Sequence, residues 1–135
     1  MILSRTAIYA LRVLTLLARA APAENLPAAR LSNDANVPRH YLNKVMQQLV
    51  AAGIVSATRG QGGGFRLARA PRRVRFLDVL DAVHIDLQFG QCAFRAGPCR
   101  ANDPCVLHGA WSELQGRVED WAKRMTLADL GASAR

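Results

Sequence analysis

Carboxylates are nearly missing from the first part of this chain. Residues 1–75 hold only Glu24 and Asp34 against 12 Lys+Arg, whereas residues 76–135 hold 8 Asp+Glu and 6 Lys+Arg, within a net charge of +8. Long apolar runs are missing as well. No stretch approaches the roughly 18 uninterrupted apolar residues of a membrane-spanning helix, so no membrane partner is expected. The opening Met1-Ile2-Leu3-Ser4-Arg5 leads straight into a helical pattern with Arg12 and Arg19. It lacks the unbroken apolar core and cleavage site of a secretory signal, and a cytoplasmic location is expected. Also absent are a Cys-x-x-Cys pair, a cofactor fingerprint and an acid–base pairing that could support turnover. An enzyme with a small-molecule substrate is therefore not expected. Cysteine is sparse, three residues in all, and all three fall within residues 92–105. An odd, clustered set argues against a disulfide framework and for metal binding or redox chemistry.

Apolar residues are present in strength, 50% of the chain. That suffices for a single core with one additional arm. The basic first part suits a polyanion such as DNA, where phosphate neutralisation and counterion release supply much of the affinity. A solvated basic face would give the same composition.

Local patterns sharpen the choice. Ser4 caps a helix over residues 4–19 with Ala7, Ile8, Leu11, Leu14 and Leu17 on one side. Pro27 opens a short second helix reaching about Asp34. Asn36 is expected to cap a third helix, over about 38–52. Its apolar stripe is Val37, Tyr41, Leu42, Val45, Met46, Leu49 and Val50. The opposite face carries Arg39, His40, Asn43, Lys44, Gln47 and Gln48, with no carboxylate. Arg can hold guanine, and Asn or Gln adenine, by paired hydrogen bonds in the major groove. A short helix, a tight turn and such a helix make a helix-turn-helix candidate. The same polar face could serve as plain solvated surface. Gly53 ends the helix, and residues 54–59 and 65–67 read as strands around Gly60-Gln61-Gly62-Gly63-Gly64. A hairpin with Arg59 and Arg66 beside a glycine tip can approach phosphate closely or enter the minor groove, as a wing does. The glycine run lacks a Gly-Lys-Ser/Thr ending and precedes a strand, so it is no nucleotide-binding loop.

The predicted fold is mainly α with a small β-hairpin wing: a winged helix-turn-helix over 1–75, a linking helix (about 77–85) and cysteine-rich loop over 76–104, and a long C-terminal dimerisation helix with its tail over 105–135. Leu107, Trp111, Leu114, Val118, Trp121 and Met125 recur at spacings of 4, 3, 4, 3 and 4. This is an a/d seam of period 3.5, suited to a twin helix in a homodimer. The same stripe could instead fold back on its own domain. Residues 131–135 are expected to fray.

The chemistry lies in Cys92-x6-Cys99-x5-Cys105-x2-His108. Three thiolates and an imidazole can complete a zinc site or an iron–sulfur site. Arg95, Arg100 and a helix N-terminus would favour the thiolates. Zinc usually takes tighter Cys-x2-4-Cys knuckles, but spacing alone leaves both metals open. A purely structural zinc and a thiol redox switch are the alternatives.

Taken together, these residues resemble the winged-helix regulators of the IscR and NsrR type. The likeness runs through Tyr9-Ala10-Leu11-Arg12, Tyr41-Leu42, Leu49, Ala52-Gly53-Ile54-Val55 and Arg59-Gly60. It continues through Gly62-Gly63-Gly64-Phe65-Arg66-Leu67, Asp78-Val79-Leu80-Asp81-Ala82-Val83, the three cysteines, Leu107-His108 with Trp111, and Thr126-Leu127-Ala128-Asp129-Leu130. The resemblance implies a transcription regulator that binds a palindromic operator in double-stranded DNA as a homodimer. It implies an iron–sulfur cluster, 2Fe-2S favoured over 4Fe-4S, on Cys92, Cys99 and Cys105. His108 matches the fourth ligand of the cluster-biogenesis branch. The carboxylate used in the nitric-oxide branch has no counterpart, because no Asp or Glu precedes Glu24 and Ile8 occupies that region. DNA contacts are expected from Arg39, His40, Tyr41, Asn43 and Lys44 in the recognition helix and from Arg59, Gln61 and Gly62 in the wing. Two features depart from the biogenesis branch: a first gap of six residues where it has five, and Asn43 where it has an acid.

Overall fold

A computed structural model describes residues 3–85, 92 and 94–133. Helix α1 (Arg5–Arg19) starts where the Ser4 side chain accepts a hydrogen bond from the Ala7 amide at 3.2 Å. Capping of this kind satisfies an amide that has no partner within the helix. Its inner face buries Ala7, Ala10, Val13, Leu14 and Leu17. Helix α2 (Ala28–Ala35) follows Pro27, and α3 (Arg39–Ala51) follows Pro38.

The turn between α2 and α3 corrects one expectation. Asn36 does not cap α3. It sits in the left-handed region at φ 52°, where it ends α2. Asn tolerates that conformation better than most side chains. Ser32 fixes the turn by donating its hydroxyl to the Val37 carbonyl at 2.6 Å, and the Val37 amide returns a bond to the Ser32 carbonyl. Val37 is thereby buried and the axis of α3 is set.

Gly53, at φ 74°, turns the chain out of α3 into β1 (Val55–Thr58), which pairs antiparallel with β2 (Gly64–Leu67). The hairpin has a third member that sequence patterns did not reveal. Leu26 bridges Phe65 with two backbone bonds of 2.9 Å. A Cβ on Gly64 would lie 2.5 Å from the Leu26 carbonyl oxygen, so this close approach requires glycine. One core joins α1, α2, α3 and the wing around Leu14, Leu31, Leu42, Met46, Leu49 and Ile54. Mainly helical with a two-stranded wing, the architecture is the winged helix-turn-helix expected.

A 3-10 turn at Pro71–Arg73 leads into α4 (Phe76–Ala82), which ends three residues before the expected Ile85. His84, at φ 57°, lies beyond its end. Of the expected loop, residues 88–91 and Ala93 lie outside the described residues. Helix α5 (His108–Arg124) and helix α6 (Leu127–Ser133) complete the chain. Helix α6 runs through Gly131 to Ser133, where fraying was expected from residue 131. It returns to the first part of the molecule: Leu127 is fully buried in the main core, and its amide bonds the Val74 carbonyl at 3.0 Å.

The apolar stripe of α5 is divided. Trp121 packs edge-on against Phe76 at 5.0 Å between ring centres, and with Met125 it closes a small core around Ala7, Leu80 and Ala122. Leu107 and Leu114, at 42% and 46% exposure, are uncovered. Trp111 and Val118 are half-buried. Among the described residues no helix is long and apolar enough to cross a membrane.

Candidate DNA interface and cysteine pocket

Helical geometry places residues i, i+3, i+4 and i+7 on one face. On α3 these are His40, Asn43, Lys44 and Gln47, all exposed, with Arg39 exposed at the N-terminal end. Tyr41 differs from the rest of the predicted set. It is half-buried, meeting Tyr9 edge-on at 5.4 Å and His40 at 5.1 Å between ring centres. The ring joins α3 to α1, so at most part of it is open to a ligand. In the wing, Arg59, Gln61 and Gly62 are all exposed. Asn25 donates its amide N–H to the Gly62 carbonyl at 3.3 Å, tying the wing tip to the chain before α2. Between α3 and the wing runs an apolar cleft of about 490 Å³, lined by Asn43, Met46, Gln47, Val50, Ala57 and Phe65 among others. Gln47 and Val50 thus join the edge of the predicted surface.

The four predicted metal ligands line a single cavity of about 250 Å³, together with Arg95, Pro98, Arg100 and Asp103. Within it they form two pairs. Cys92 Sγ lies 3.8 Å from Cys105 Sγ, and Cys99 Sγ lies 3.1 Å from His108 Nδ1. Cys105 and His108 sit one turn apart, joined by the bond from the His108 amide to the Cys105 carbonyl at 3.0 Å. Each reaches across to a cysteine from the preceding loop. Among the described residues no three His, Cys, Asp or Glu side chains are grouped tightly enough to hold one metal ion.

Contacts not readable from residue patterns support the loop. The Cys92 amide bonds the Gly97 carbonyl at 3.1 Å, closing a short turn. Arg95 pairs with the Asp103 carboxylate at 3.2 Å and also donates to its carbonyl at 3.3 Å. Phe94, 55% exposed, meets Trp111 of α5 edge-on at 6.2 Å. No periodicity signals such cross-loop partners; only the residue types, Arg opposite Asp and Phe near Trp, hint at them. Hydrogen bonding from the Phe94 backbone, more than any other influence, holds the Cys92 thiol below its ordinary range. Desolvation opposes the shift, while the Arg95 backbone, Cys105 and the Arg95 charge reinforce it.

Similarity to known proteins agrees with this architecture. The model of the Rrf2 family, described as an iron-dependent transcriptional regulator, matches residues 3–133. An HTH-type transcriptional regulator of Aquifex aeolicus is 32% identical over 96 residues, which is 70% of this chain and 67% of that protein. The HTH-type transcriptional regulator IscR of Vibrio campbellii is 30% identical over 105 residues, 78% of this chain and 62% of that one. The chain thus spans about two thirds of the length of these curated relatives. Among solved structures, the global cysteine regulator CymR of B. subtilis superposes with a TM-score of 0.83 at 20% identity, over 98% of both chains. IscR of T. potens does so at 0.78 and 22%, over 98% of this chain and 88% of that one. At such identities these two establish the fold alone. The family is one of transcriptional regulators rather than enzymes, and this chain belongs to it, the Rrf2 family, with a winged-helix fold.

Proposed function

We propose that the chain works inside the cell as a homodimer that binds a palindromic DNA operator. Its DNA affinity is set by an iron–sulfur cluster on Cys92, Cys99, Cys105 and His108. The observation that carries the cluster reading is the two-by-two arrangement of these donors. Two thiolates on one tetrahedral metal, with bonds of about 2.3 Å, lie about 3.8 Å apart, and Cys92 and Cys105 stand at 3.8 Å. Cys99 and His108 supply the second pair. Two donors per iron is what a 2Fe-2S centre takes. A single zinc needs all four donors around one point, which the pairing favours less. When bound, such a cluster supplies a centre sensitive to oxidants and nitric oxide.

The chain's own groups prepare the site. The backbone amides near Cys92 and the Arg95 charge favour thiolate. The Arg95–Asp103 pair and the Phe94–Trp111 contact hold the loop against α5, whose first residue is His108. On the DNA side, Arg39, His40, Asn43 and Lys44, with the open edge of Tyr41, form the major-groove surface. Arg59, Gln61 and Gly62 form the wing contact with phosphate or minor groove. The N-terminal stretch of the α5 stripe, with Leu107 and Leu114 uncovered and Trp111 and Val118 half-buried, offers an apolar seam to a second copy. Trp121 and Met125 complete that seam from the side already seated on α4. To read two half-sites one turn of DNA apart, such a dimer would have to hold its recognition helices about 34 Å apart.

Iron, acid-labile sulfide and zinc, assayed on protein purified without oxygen, test the reading. Coloured protein with matched iron and sulfide supports it. Colourless protein with one zinc per chain replaces it with a structural-zinc repressor, and metal-free protein leaves a thiol switch. Changing Cys92, Cys99 and Cys105 together to Ala should alter operator affinity or operator choice; unchanged binding would remove the sensing role.

A further inference from the structure

The cysteine pocket holds a second chemistry that needs no metal. Cys92 and Cys105 have their sulfurs 3.8 Å apart, both half-buried on one cavity wall, and all three cysteines are free thiols. A disulfide needs its sulfurs at about 2.0 Å, a distance that side-chain rotation and a small loop adjustment can close. Cys99 is held elsewhere, its sulfur engaged by His108 Nδ1 at 3.1 Å. Three cysteines allow three internal disulfides, and the structure separates one pair from the third residue.

The geometry points to a Cys92–Cys105 disulfide as the oxidised, metal-free state of this protein, formed by exchange with a low-molecular-weight disulfide. One protein thiolate attacks a sulfur of the small disulfide, making a mixed disulfide and expelling one small thiol. The second protein thiolate then attacks the protein sulfur and expels the other. Two protein thiols lose two protons and two electrons, and the small disulfide takes up both to become two thiols. The bridge closes the loop between residues 92 and 105 onto the turn that precedes α5. It also consumes two of the four donors proposed above, so bridge and cluster exclude one another. The inference shares the ligand assignment of the proposed function but does not require that iron be the metal.

The sequence supplies a direct test. Arg75, Arg95, Arg100 and Arg117 are cleavage sites that place Cys92, Cys99 and Cys105 in separate tryptic peptides, 76–95, 96–100 and 101–117. The full chain, freed of metal with a chelator, is treated with oxidised glutathione, alkylated and digested without reduction. The expected result is a single cross-linked species joining 76–95 to 101–117 within a monomer on a denaturing gel. Alkylatable thiols fall from three to one per chain, and Cys99 is the one that remains. C99A should give the same cross-link, and C105A should give none between 76–95 and any other peptide. A cross-link that includes 96–100, a bridge between chains, or three stable glutathione adducts without an internal bridge would each overturn the inference. Each of these outcomes is independent of whether anaerobically purified protein carries iron, so failure here and failure of the cluster reading can be told apart.

Discussion

Arg75 and Thr126 pair across an antiparallel bridge, and each stands immediately before a helix, Arg75 before α4 and Thr126 before α6. Their neighbours complete the ladder: the Phe76 amide bonds the Met125 carbonyl at 2.9 Å, and the Leu127 amide bonds the Val74 carbonyl at 3.0 Å. Both helices begin with the same device. Asp78 accepts from the Arg75 amide at 2.9 Å, and Asp129 accepts from the Thr126 amide at 2.8 Å. A carboxylate three residues into a helix, bonded back to the entry residue, satisfies a donor that has no partner within the helix.

Asp78→Ala and Asp129→Ala are therefore expected to destabilise the chain by about 1 kcal/mol each. Asp78→Ala also removes the 3.0 Å pair with the Arg75 guanidinium, and Asp129→Ala the 3.1 Å bond donated by the Thr126 hydroxyl. Since both act on one bridge, the double variant should depart from additivity. Urea midpoints of the four proteins check this.

Stability should also fall in acid. Partial burial pushes the Asp78 carboxyl up, but hydrogen bonds and charge from Arg75 outweigh it and hold it below the usual carboxylate range. A group whose folded value is depressed contributes fully above its unfolded value, about 3.9, and loses that contribution as pH falls through the folded value. The stability gap between the parent and Asp78→Asn should be open at neutral pH and narrow below about pH 4. Unfolding curves at a series of pH values measure it, and a constant gap would contradict the assignment.

Gly64→Ala should damage the wing specifically. Its φ of 143° and the 2.5 Å approach to the Leu26 carbonyl leave no place for a Cβ. A cost of about 2 kcal/mol is expected, with faster amide exchange at Phe65 and Leu26 than in the parent.

Arg59→Ala and Asn43→Ala should separate two kinds of DNA contact. Loss of a phosphate contact by Arg59 should weaken binding evenly across operators and reduce the salt slope by about 1. Loss of a base contact by Asn43 should cost about 1–3 kcal/mol at particular base pairs and relax preference there. Competition binding at several salt concentrations, with operators mutated one position at a time, distinguishes the two.

Leu114→Glu should shift a dimer towards monomer with little effect on the fold of each chain, because the side chain is 46% exposed in the single chain. Sedimentation at low protein concentration reads the first effect and circular dichroism the second. A parent protein that is already monomeric would refute the dimer directly.

The winged helix-turn-helix was legible because its signals are local: the apolar stripe of α3, the helix opening at Pro27, and the glycine tip between two short strands. The four cysteine-pocket residues were legible by type, since thiols and imidazole gathered in a loop have few other uses. Their pairing was not, because an irregular loop has no period from which to infer who faces whom. Leu26 against Phe65 escaped for the same reason, being a bridge between residues far apart in sequence. Asn36 was misread because Asn suits both the start of a helix and the left-handed residue that ends one. Helix α6 is only 7 residues long and contains Gly131, so its apolar pattern is weak. The Thr126-x-x-Asp129 spacing across the helix start at Leu127 was the signal that could have found it.

With its C-terminal end seated through Trp121 on Phe76, α5 is anchored to the winged domain at one end and begins with His108 at the other. Its 17 residues make a rod of about 25 Å, which acts as a lever. A tilt of about 10° about the anchored end would carry the His108 end through about 4 Å, roughly three quarters of a helical turn. A displacement of the loop on that scale would therefore reach the Trp121 end of the rod only as a rotation of about 10°.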